Sequence, residues 1–187
     1  MRGVAKAWAV GAMAIALIPM ACGAPDPGNQ DRNGGAEVGG HDPVIRSGEN
    51  DRIVIEIVAG ESAENSYWNF NGLYGGAGRI MVPLGAELEV DFRNADPAMS
   101  HSIGVTRWAD PFPADFAPIE TAFPGALVKE AEATDGAVPP EGRSVFRFRA
   151  TEEGRFAVVC FVPGHAAVGM YIRLDVVEGL DEATLEH

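Results

Sequence analysis

Histidine and cysteine are scarce in this chain of 187 residues, four of one and two of the other. A metal site built from so few ligands must be small. Basic side chains are also few, 14 Lys and Arg against 27 Asp and Glu, for a formal net charge of −13. Phosphate backbones are gripped by basic faces, so nucleic acid is excluded as a partner. An acidic surface favours solubility and association with a basic partner instead. The N-terminal apolar run, residues 7–18, falls short of the roughly 20 residues that a membrane-spanning helix needs. No long helical periodicity follows it.

What is present at the N-terminus is a leader. Arg2 and Lys6 precede the apolar run, and Pro19, Met20, Ala21 and Cys22 follow it, the pattern of a secretory signal over residues 1–21. The stretch LIPMAC resembles the lipobox of bacterial lipoproteins. Ala21 fits that motif, while Pro19 stands where leucine is usual. The resemblance implies that Cys22 is lipidated and that the protein is exported, periplasmic or on the outer cell face, and anchored to a membrane. Ordinary cleavage, with Cys22 a spare thiol, and a retained signal are the alternatives. Residues 22–50 are rich in Gly, Pro, Asp and Asn and have no apolar period, which reads as a flexible tether with His41 solvated inside it.

Beyond the tether the period becomes two. Ile53, Ile55 and Ile57 alternate with Val54, Glu56 and Val58. Leu88, Val90 and Phe92 alternate with Glu87, Glu89, Asp91 and Arg93. Phe146 and Phe148, and then Ile172, Leu174 and Val176, repeat the pattern. Such alternation marks half-buried strands. Further strands are expected near residues 79–82, 101–106 and 155–162, with Gly/Pro turns between them. The fold class is all-β, an antiparallel sandwich over residues 51–179, followed by a C-terminal tail, 180–187. Residues 107–143 form one long inserted loop, with a helical turn or two expected around 126–133.

One uncharged stretch stands out, CFVPGHAAVGM, residues 160–170. Strand parity puts Cys160 on an inward face at one strand end. Met170 opens the next strand on its apolar face, and His165 lies in the connection between them. In MSHSIGV, His101 shares a face with Ile103 and Val105. A thiol, two imidazoles and a thioether can therefore meet at one end of the sandwich. One cysteine, two histidines and a weak methionine are the ligand types of a blue-copper centre.

The spacing C-x4-H-x4-M, with a strand-opening histidine far upstream, resembles the cupredoxin family. VCFVPGHAAVGMYIRLDV, YWNFNGLYGGAGRIMVPLGAELEVDFRN and FPGAL are similar to the sulfocyanin branch, to which the rusticyanins are related. The resemblance covers residues 51–178. It implies a Greek-key cupredoxin sandwich, one type 1 copper ion, and the ligands His101, Cys160, His165 and Met170. It also implies a one-electron shuttle in a respiratory chain, not an enzyme, with redox proteins such as a cytochrome or a terminal oxidase as partners and no small-molecule substrate. Ser102 departs from the plastocyanins and azurins, which have Asn after the first histidine, tying the two ligand loops together. Met99 is a substitute axial ligand or, more simply, a packing residue.

Other functions need features that are missing. Copper enzymes on this sandwich require further histidine clusters, and only His41 and His187 are left. A Cys–His nucleophile leaves Met170 unexplained. A copper-delivery protein, the alternative function, presents ligands on mobile segments rather than across a sandwich. The uncharged residues Pro163, Ala166, Ala167 and Val168 suggest a docking patch for a redox partner around an exposed edge of His165.

Overall fold

The computed structural model describes Gly3, residues 40–128 and residues 137–187. The rest of the signal, Cys22, the first part of the tether and residues 129–133 of the expected helical turns lie outside the described residues. The chain divides into two units, Met1–Gly35 and Ala36–His187, and the second carries the sandwich.

Among the described residues, nine strands make two sheets. One holds β1 (Val44–Ser47), β2 (Ile53–Ala59), β4 (Glu87–Asn94) and β6 (Arg143–Arg149) in that order. The other runs β5 (Gly104–Arg107), β7 (Gly154–Val159), β8 (Tyr171–Val177), β3 (Arg79–Pro83) and β9 (Thr184–Glu186). The alternation read from the sequence decides which side chains meet. Ile55, Ile57, Leu88, Val90, Phe92, Phe146 and Phe148 from the first sheet are buried in one cluster with Ile80, Val82, Phe156, Val158, Ile172, Leu174 and Val176 from the second. Burying side chains of this size contributes about 1.5–3 kcal/mol each, which is why period-two patterning specifies the sandwich.

Three details differ from expectation. The sheets are mixed, since β2 pairs with β4 and β3 with β8 in parallel. The chain leaves the first sheet after β2, runs β3 in the second and returns for β4, which runs in the direction of β2. Folded structure also begins before residue 51 and continues past 179. β1 pairs antiparallel with β2, and β9 with β3. These are short edge strands with one face in solvent, so they lack the alternation that marked the others. Finally, His101 does not open a strand. It forms an isolated bridge with Val138, and β5 starts only at Gly104.

The inserted loop is pinned from below. Phe123 is buried, stacked on Phe148 at 5.5 Å and tilted against Phe156 at 4.7 Å. Leu127 bridges to Gly104 instead of entering a helix. At Gly104 there is room for nothing larger, because a Cβ would stand 2.7 Å from the Ala126 carbonyl oxygen and 2.8 Å from the Phe161 ring. Val138 returns to pair with His101. The described parts of the excursion therefore pack against the segments that carry the candidate ligands His101 and Cys160.

Candidate metal centre

Backbone pairing sets the ligand-bearing segments side by side. The Cys160 N–H donates to the Met170 carbonyl, and the Met170 N–H donates to the His165 carbonyl. The connection is not an open tip. It winds into a short 3-10 turn, Ala166–Val168, closed by Gly169 at φ 107°. Cys160, His101 and Met170 are fully buried.

Among the described residues, His101, Cys160 and His165 form a group of three ligating side chains whose donor atoms lie within 4.8 Å of one another. His101 Nδ1 is 3.2 Å from His165 Nδ1, and Cys160 Sγ is 3.4 Å from His165 Nδ1 and 3.9 Å from His101 Nδ1. Bonds of about 2.0 Å to imidazole and about 2.3 Å to thiolate place ligand atoms roughly 3–4 Å apart around one first-row ion. The donor set fits copper. Thiolate and imidazole bind both of its oxidation states, and the thioether of buried Met170 is the weak fourth donor that such centres use. Met99 is 41% exposed and is not in the centre.

A residue that carried no ligand signal in the sequence fixes the first imidazole. Asp96 Oδ2 lies 2.8 Å from His101 Nε2, and both side chains are buried. Burial works to raise the Asp96 carboxyl, but hydrogen bonds from the Ala98 N–H, His101 and the Met99 N–H outweigh it and hold its pKa below the usual value. The ionised carboxylate can only accept, so the His101 proton sits on Nε2 and the Nδ1 lone pair faces the cluster. Gly60 makes room for this arrangement, since a Cβ there would come within 2.7 Å of the Asp96 Cβ. The one available hint was an aspartate five residues before a candidate ligand histidine.

Ser102 links two ligand-bearing segments. Its Oγ accepts from the Phe161 N–H at 2.7 Å and lies 3.7 Å from Cys160 Sγ. It thereby ties the His101 segment to the Cys160 segment.

Burial shapes the protonation of the metal-free ligands. It pushes the Cys160 thiol up to about 11, against hydrogen bonds from the Val162 and Ser102 backbone N–H groups and the Ser102 hydroxyl. His165 is driven down to about 4, by burial first and by the proximity of His101 second. His101 is lowered by burial, which Asp96 opposes. At neutral pH the imidazoles are neutral and the thiol holds its proton, so a metal ion displaces one proton from sulfur when it binds.

His165 corrects the expectation of an exposed ring edge. It is only 2% exposed, because the Trp68 indole stacks over it with centroids 4.3 Å apart and planes 18° from parallel. Of the expected docking patch, Pro163, Ala167 and Val168 are exposed, while Ala166 packs inward with Phe112 and Phe161.

Several known proteins are similar to this chain. Rusticyanin from Acidithiobacillus ferrooxidans is 31% identical over 98 residues, which are 51% of this chain and 57% of the rusticyanin, so the matched region spans little more than half of that relative. A dithionite-reduced auracyanin from Roseiflexus castenholzii superimposes with a TM-score of 0.44 at 21% identity, covering 66% of this chain and 95% of its own. Reduced rusticyanin gives 0.45 at 21%, covering 75% and 91%. The sulfocyanin (SoxE) domain family matches residues 40–182, nearly all of the described fold and every one of the four ligands. The chain belongs to the sulfocyanin family of blue-copper proteins.

Proposed function

We propose that the protein is a one-electron carrier, holding a single copper ion with His101, Cys160, His165 and Met170. Copper held there supplies the exchange between Cu(I) and Cu(II). The observation that carries this reading is a buried ligand cluster in which His101, the Cys160 segment and His165 are each held by a second partner. Asp96 orients His101, Ser102 ties down the Cys160 segment, and Trp68 covers His165. Ligands that cannot relax keep the geometry the same in both oxidation states, which suits electron transfer and works against release of copper to an acceptor. Enzymatic use would need more ligands nearby. His41 and His187 lie instead beside Glu61 and Asp42, exposed.

The copper-loaded protein should show an intense visible band from thiolate-to-Cu(II) charge transfer that bleaches with one electron per copper in a redox titration. Cys160→Ser should abolish the band. A variant that stays blue removes Cys160 from the site and overturns the reading.

The carrier works outside the cytoplasm, tethered through lipidated Cys22, and exchanges electrons with a basic redox protein such as a cytochrome or terminal oxidase. The leader, the spacing of LIPMAC and the charge of −13 support this. No helix among the described residues is long and apolar enough to cross a membrane. Cys22→Ser should move the protein from the membrane fraction to the soluble exported fraction.

A further inference from the structure

The ligand nearest the surface in sequence terms, His165, has almost no surface of its own. Over it lies Trp68, half-buried, from a segment almost a hundred residues upstream. We infer that Trp68, and not the His165 edge, is the group through which the electron enters and leaves the centre. The inference rests on the electron-carrier reading.

Three observations support it. The stack is close and nearly parallel, 4.3 Å and 18°, so the indole is the next π system outward from a copper ligand. The Trp68 segment is also clasped to the ligand loop. Asn65 Nδ2 donates to the Trp68 carbonyl at 2.7 Å and to the Val168 carbonyl at 3.2 Å. The Gly75 N–H donates to the Gly169 carbonyl at 2.7 Å, and the Gly76 N–H to the Tyr171 carbonyl at 3.1 Å. Indole and imidazole are thus held as one unit. Lastly, the turn that delivers Trp68 is strained. Asn65, Ser66 and Tyr67 have φ of 48°, 59° and 66°, three successive left-handed residues with side chains. Left-handed backbone is unfavourable for a residue with a Cβ, though least so for asparagine, and it persists only where surrounding structure holds the turn. Beside the indole, Tyr67 and Val168 are exposed and apolar, a surface suited to brief contact.

The step balances simply. One reduced molecule gives an electron to an oxidised carrier, the donor losing one electron and the acceptor gaining it. No bond or proton moves, and Trp68 ends each transfer unchanged.

Self-exchange between reduced and oxidised copies is the direct test, because its driving force is zero and a shifted potential cannot disguise the result. NMR line broadening in mixtures of the two forms reads the rate. Trp68→Leu should slow exchange by about tenfold or more, within the one to three decades over which variants of one interface differ, with copper content and the visible band retained. Trp68→Phe should restore most of the rate. In the copper-free protein the His165 ring protons should be displaced by the indole ring current, and Trp68→Leu should return them. A Leu variant that exchanges at the wild-type rate, or a wild-type His165 with no ring-current displacement, overturns the inference. If Trp68→Leu fails to fold or bind copper, Trp68→Met against Trp68→Phe decides: a slow Met variant supports it, and equal rates overturn it. Wild type that takes up copper without a blue band or any self-exchange overturns the carrier reading itself, a result separate from any of these.

Discussion

Asp96 shows how one carboxylate governs a site without touching its metal. It fixes the His101 tautomer through a 2.8 Å contact and sets a buried negative charge beside the ligands that would hold copper. Asp96→Asn keeps the shape but removes the charge. Copper affinity should fall by about 10–100-fold, the usual consequence of losing such an outer partner, and the reduction potential should rise, since a nearby anion favours Cu(II) over Cu(I). Competitive copper titration and potentiometry check the two effects. The histidines themselves govern acid behaviour. The folded-state pKa of His165 is depressed from 6.5 to about 4, and that of His101 is lowered as well. A depressed imidazole binds its proton more readily in the unfolded chain. Stability of the copper-free protein is therefore whole above pH 6.5 and declines as pH falls toward 4, by up to about 1.4 kcal/mol per pH unit from His165, with His101 adding to the decline in the same direction. Denaturant unfolding of copper-free protein across that window measures it, and a flat profile contradicts the depressed values.

At the scale of elements, the inserted loop is the part with most at stake. Phe123 sits between Phe148 of β6 and Phe156 of β7, so it holds the excursion to both sheets. Phe123→Ala should cost about 3–5 kcal/mol in chemical unfolding. The copper band should survive where the protein remains folded, because Phe123 is not among the ligands. The same scale shows what could be read in advance. β2, β4, β6 and β8 were legible because each has a buried face and a wetter one, and the side chains alternate accordingly. β1 and β9 were not, since edge strands of four and three residues expose nearly everything. Cys160, His165 and Met170 were legible because they share one short connection, and His101 because its donor type completed a set. The cover over His165 was hidden. Trp68 meets it through a fold-level contact for which sequence spacing holds no signal, and without that cover the histidine had every reason to be expected at the surface. Asp96 was hidden for a similar reason: its role depends on burial, and aspartate in a turn is ordinarily solvated.

For the whole molecule, charge is the dominant property. The formal charge is −13 over 187 residues, and Pro163, Ala167 and Val168 are exposed and uncharged. Long-range attraction should bring a basic partner close, and the uncharged area then permits contact. The second-order rate with a basic one-electron carrier should fall steeply as ionic strength rises, since the Debye length shrinks from about 30 Å at 0.01 M to about 8 Å at 0.15 M. Ala167→Asp should slow the reaction further at high salt, where steering is screened and only the contact remains. Stopped-flow mixing across a salt series separates the two, and a salt-independent rate would show that charge does not guide the encounter.

The depth of Cys160 has a consequence for the life of the protein before it meets its metal. Oxidants and alkylating agents attack thiolates that they can reach. This sulfur is fully enclosed and keeps its proton until about pH 11. The Cys160 thiol is therefore durable in oxidising surroundings before copper binds, where an exposed thiol of ordinary acidity would soon be capped. Its shelf life while waiting for copper is set by how often the sandwich opens, so the hydrophobic interior preserves the site's chemistry as well as its shape.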